Sequence, residues 1–129
     1  MNNWVRILFG VIVLVHGIGH VLFLLPALGI ADWGQSTRSW LLSKPLGDGL
    51  TRGLGAVLWV VVTVGFVAGV IGYFTQAGWW QPVLVAASAV SAVGLILFWA
   101  RPASSSSIFA LIFDLAIILS IQVFHWPGE

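Results

Sequence analysis

Four apolar runs divide the chain: Trp4 to Leu25, Leu54 to Phe74, Trp79 to Trp99 and Ile108 to Trp126. Each approaches the roughly 20 residues that a helix rising about 1.5 Å per residue needs to cross a hydrocarbon core about 30 Å thick. The runs are apolar on all sides, which is foreign to the alternating segments of about ten residues that build a transmembrane barrel. Lipid offers no partner to an unpaired backbone N–H or C=O, so helix is the expected form. The pattern predicts an all-α integral membrane four-helix bundle, up-down-up-down. It forms a single transmembrane domain over residues 1–129, with helices at about 4–25, 54–74, 79–99 and 108–126.

The breaks between runs carry turn chemistry: Pro26 with Gly29, Gly34, Pro45 with Gly47 and Gly49, Gln76 to Gly78, and Arg101-Pro102 before the serines 104 to 107. Only the first connection, about residues 26–53, is long. Within it, Ser36 to Leu42 is expected as a short helix lying at the membrane surface. Ser106 or Ser107 is expected to cap the fourth helix. Gly29-Ile30-Ala31 would suit a signal-peptide cleavage site, but the apolar stretch before it far exceeds the usual 7 to 15 residues or so. The first run is therefore read as a retained helix.

Tryptophan positions test this layout independently. In an up-down bundle Trp4, Trp79, Trp80 and Trp126 fall at one face and Trp33, Trp40 and Trp99 at or near the other, as interfacial belts require, leaving Trp59 inside a span. Both termini then share one side. Arg38, Lys44, Arg52 and Arg101 crowd the opposite side against Arg6, and the excess of basic residues on cytoplasmic loops places the termini outside the cytoplasm.

Composition narrows the partners. The chain is 60% hydrophobic and 7% charged, where a soluble domain is about one quarter charged, so its main partner is the lipid bilayer. Five basic and four acidic side chains are spread too thinly to follow a phosphate backbone, which argues against nucleic acid. The absence of cysteine excludes disulfides, thiolate nucleophiles and cysteine-ligated metal centres. Small residues form faces on the second helix (Gly65, Ala68, Gly69, Gly72) and the third (Ala86, Ser88, Ala89, Ser91, Ala92), suited to close packing inside the bundle or between copies.

Three ionisable residues stand inside the apolar runs. His16 and His20 are four apart, so they share a face of the first helix, and Asp114 is the only acid deep within a span. Counted from the long-connection face at about 1.5 Å per residue, His20 lies about 8 Å deep, His16 about 14 Å and Asp114 about 10 to 12 Å. Thr63, Ser88 and Ser91 lie somewhat deeper and are expected to supply hydrogen bonds. His125 falls near the other face, with Trp126. An unpaired carboxyl group in hydrocarbon is costly, so Asp114 is expected to meet a histidine, which requires the first and fourth helices to be neighbours.

This polar centre admits three readings. It is a structural His–Asp pair that fixes helix register, a metal site of two imidazoles and one carboxylate (His16, His20, Asp114), or a proton relay or quinone site. Haem fits less well, since two histidines on one helix cannot supply opposite axial ligands within one chain. No catalytic residues are assigned.

Arg6-Ile7-Leu8-Phe9-Gly10, followed by His16-Gly17 and His20, resembles the opening helix of DoxX-like membrane proteins: arginine, glycine four later, then a His-Gly pair and a polar residue three beyond it. Members often carry lysine where His20 stands and an acid early in the second helix, where this chain has Leu54 to Val60. The resemblance implies a small accessory subunit, not an enzyme on its own, of a quinone-linked or other redox system in a bacterial-type plasma membrane, partnered by other membrane redox subunits or by itself. The other classes of function are a metal- or haem-binding membrane protein and a structural assembly subunit.

Overall fold

The computed structural model describes residues 2–33 and 35–128, and its regular structure is helical throughout. The helices are α1 (Asn3–Gly19), α2 (Val21–Ala27), α3 (Ser43–Leu46), α4 (Asp48–Phe74), α5 (Trp80–Leu97) and α6 (Ser105–Gln122). Four units are long and apolar enough to cross a membrane: Asn3–Ala27, which joins α1 and α2, Asp48–Phe74, Trp80–Leu97 and Ser105–Gln122. The second begins at Asp48, ahead of the apolar run itself, because Gly47 at φ 82° turns the chain and the segment carrying Asp48, Thr51 and Arg52 winds into its first turns.

Packing follows chain order, α1 and α2 on α4, α4 on α5, and α5 on α6. The α4–α5 seam is close because glycine leaves the space. A Cβ at Gly72 would meet the Trp79 ring at 2.7 Å, and one at Gly69 would strike the Leu84 side chain. Two apolar clusters form the interior. One contains Phe9, Val13, Phe66, Tyr73 and Leu84, the other Phe23, Trp59, Leu95 and Phe98. The outward faces are also apolar, with Leu8, Val15, Val57, Val64 and Ile112 exposed.

Helix ends are closed by side chains from other segments, which satisfies carbonyls that lack an intrahelical donor. Arg6 donates to the Tyr73 and Phe74 carbonyls (3.4 and 3.1 Å) at the end of α4, and Arg52 to those of Pro26 and Ala27 (2.7 and 2.9 Å) at the end of α2. Trp40 Nε1–H donates to Ile96 O at 2.7 Å near the end of α5. The α4–α5 turn is a Schellman closure: Gln76 takes φ 56°, its N–H donates to Tyr73 O at 3.2 Å, and Ala77 N–H donates to Gly72 O at 2.9 Å.

Two local expectations are corrected. Ser36 to Leu42 forms no helix, because the Ser36 and Ser39 hydroxyls accept hydrogen bonds from the Arg38, Leu41 and Leu42 amides and hold turns; helix begins at Ser43. The cap of α6 is Ser104, the first of the four serines, whose extended backbone lets its Oγ accept from Ser107 N–H at 3.2 Å. Gly34, expected as a turn residue, lies outside the described residues.

Candidate functional site

The site begins with a fault in the first long helix. In a regular α-helix the His20 amide would donate to the carbonyl of His16. Here the His20 ring occupies that carbonyl through Nδ1 at 3.0 Å, and the His20 amide turns to Gly17 O at 3.2 Å. The helix tightens for one turn, which separates α1 from α2. A carbonyl can only accept, so Nδ1 carries the proton, and Nε2 of the neutral ring is left as an acceptor. Ser91 on α5 fills it, its hydroxyl donating to His20 Nε2 at 2.6 Å.

His16 lies one turn earlier on the same face. Its Nε2–H donates to Asp114 Oδ1 on α6 at 2.8 Å, and Asp114 is fully buried. The second carboxylate oxygen, Oδ2, is buried with no hydrogen-bond partner among the described residues, as is the hydroxyl of Ser88. The His16 and His20 rings stand edge to face, centroids 4.8 Å apart. Phe66 stacks on His20 at 5.4 Å and meets His16 edge-on at 5.1 Å, while Phe113 stacks on His16 at 5.2 Å. Trp59 and Phe23 flank His20 at 5.9 Å each, so this ring sits where the two apolar clusters join.

Four of the residues picked from sequence thus come together: His16, His20, Asp114 and Ser91. Ser88 lies on the same buried face of α5 but bonds to none of them. Thr63 stays outside the set, because its hydroxyl donates to Trp59 O one turn back on its own helix at 2.8 Å, the usual recourse of a mid-helix threonine. His125 is exposed at φ 49°, while the adjacent Trp126 packs edge-on against Phe9 at 5.2 Å.

Neighbouring first and fourth helices were expected, and here they meet side chain to side chain. Among the described residues the backbones of α1 and α6 do not pack along their lengths. Between them lies a cleft of about 430 Å³ whose lining includes Val15, Gly19, Phe109 and Phe113, with His16 and His20 in its wall. That volume falls within the roughly 300 to 1,000 Å³ of ordinary ligand pockets. Sequence reasoning missed the aromatic rings and Gly19. The only available signal was the placement of aromatic residues at the depth of the histidines.

Compared with known proteins, the chain matches no family model, no curated protein and no solved structure.

Proposed function

We propose that this chain is an integral membrane protein whose cleft between the first and last spans receives the ring of a lipid-soluble quinone, and that it serves as a non-catalytic accessory subunit of a membrane redox system. The observation that carries this reading is the cleft itself: apolar walls on helices with apolar outer faces, and a hydrogen-bonded His16–Asp114 pair beside His20 at its inner side. A ring carbonyl needs a donor, and its reduction consumes protons. His16 lines the cleft, Asp114 accepts its Nε2–H at 2.8 Å so that the pair could pass a proton between imidazole and carboxylate beside a bound ring, and Phe66 and Phe113 pack on the imidazole. The bound quinone would supply the redox chemistry, with electrons delivered by a partner subunit. The resemblance of the first helix to DoxX-like proteins points the same way.

Gly19 makes the test clean. A Cβ built there meets nothing within 4 Å, and the residue lines the cleft. Gly19→Phe should therefore fold normally and fill the space. Titration of a short-chain ubiquinone into protein in nanodiscs, followed by tryptophan quenching, is expected to saturate for the wild type and to weaken at least about tenfold, or about 1.4 kcal/mol, in the variant. Equal affinity in the two proteins, or no saturable binding to the wild type, defeats the reading.

The proposed topology is up-down-up-down in a bacterial-type plasma membrane with both termini on the non-cytoplasmic side. Four spans return the chain to its starting face, and the basic residues gather at the other. Reporter fusions at the two ends should report the same, non-cytoplasmic side. Opposite sides would reject the four-span path, and a shared cytoplasmic location would reject the orientation.

A further inference from the structure

We infer that His16, His20 and Asp114 form a binding site for one first-row divalent transition-metal ion. Three potential ligand atoms, one from each residue, lie within 4.8 Å of one another inside the bundle. Proximity alone would not make a site, but two further observations point to a ligand. Asp114 Oδ2 is completely buried, carries lone pairs and has no partner among the described residues. His20 is arranged as ligating histidines are, with Nδ1–H fixed on a backbone carbonyl at 3.0 Å and the Nε2 lone pair left available as an acceptor. Only the Ser91 hydroxyl now occupies that lone pair, and a hydroxyl can rotate away.

The donor set selects the class of ion. Two imidazoles and one carboxylate suit zinc, iron, cobalt or nickel in the divalent state, whereas calcium and magnesium take oxygen ligands and copper(I) prefers sulfur. His16 and Asp114 already share a proton across 2.8 Å. On loading, that proton passes to His16 Nδ1, and the metal replaces it between Nε2 and the carboxylate. His20, one helical turn away, completes a chelate from the same helix face. His16 and His20 both line the cleft. The inference rests on side-chain geometry and stands whether or not the cleft takes a quinone.

Cobalt(II) added alone to chelator-stripped protein in mild detergent tests it through the visible d–d spectrum and the bound metal per chain. One equivalent of tightly bound cobalt is expected, displaced by zinc. Asp114→Asn and His20→Gln should each weaken binding by more than about tenfold with helix content unchanged. Ser91→Ala, which removes only the hydroxyl competing for Nε2, should bind at least as tightly as the wild type, and His125→Gln should match it. Absence of stoichiometric cobalt in the wild type overturns the inference. So does binding that survives both Asp114→Asn and His20→Gln, or binding that His125→Gln abolishes.

Discussion

Gly17→Ala is expected to cost about 1 to 3 kcal/mol of stability, the usual penalty for forcing one extra carbon into a packed interior. A Cβ at Gly17 would collide with Phe66 Cβ and reach its Cγ at 3.0 Å. The obstructing Cβ is fixed to the α4 backbone, so no rotamer change relieves the contact and the two helices must separate. Phe66 is fully buried and also stacks on His20 and edges onto His16, so the displacement passes directly to both site rings. Unfolding in mixed micelles should show the loss, and histidine ring resonances should shift with it. Gly19→Ala, two residues along, is the control: its Cβ meets nothing within 4 Å and should cost nothing measurable. Equal stabilities for the two variants would mean that α1 does not rest on α4 through Gly17.

The contrast between these glycines shows where sequence reasoning stops. Four helices long and apolar enough to span a membrane could be read from the runs, because their length and all-round apolar character allow little else in lipid. The His–Asp pairing could be anticipated because a lone carboxyl group in such a helix is too costly to leave unpartnered, and the spacing of four set both histidines on one face. The cleft could not. Gly17 and Gly19 are the same residue about 200° apart around the helix, yet one meets Phe66 of α4 and the other opens onto the cleft, a difference set by the rotation of α1 against its neighbours.

Aromatic residues were legible only as bulk. Phe66, Phe113 and Trp59 enclose the histidines because of the rotation of each helix about its axis, which small moments in all-apolar sequences do not specify. The tightened turn at His20 was hidden for a related reason. It depends on one side chain taking the carbonyl that its own amide would otherwise use, a local competition between two equally available donors. Thr63 illustrates the converse: correct depth and a hydroxyl group did not place it in the site, since its own helix offered a carbonyl.

Replacing Asp114 with Leu is expected to destabilise the protein by about 1 to 3 kcal/mol, and replacing His16 with Leu in the same chain to restore most of that loss. The single change leaves the buried His16 Nε2–H without its acceptor, and an orphaned donor costs about 1 to 3 kcal/mol in an apolar interior. The carboxyl group is itself costly to hold in hydrocarbon, and within the folded chain its His16 partner offsets that cost. Removing both partners therefore eliminates two polar groups that hydrocarbon tolerates poorly, and buried pairs exchanged for apolar residues are often neutral or more stable by about 1 to 4 kcal/mol. A double-mutant cycle measures the coupling directly, and it should exceed 1 kcal/mol or so, well outside the roughly 0.3 to 0.5 kcal/mol scatter of independent sites. Additive losses within that scatter would show that the 2.8 Å contact carries no net energy. A double variant as stable as the wild type, but unable to bind cobalt or quinone, would mean that stability does not require the pair and that its place at the wall of the cleft is chemical.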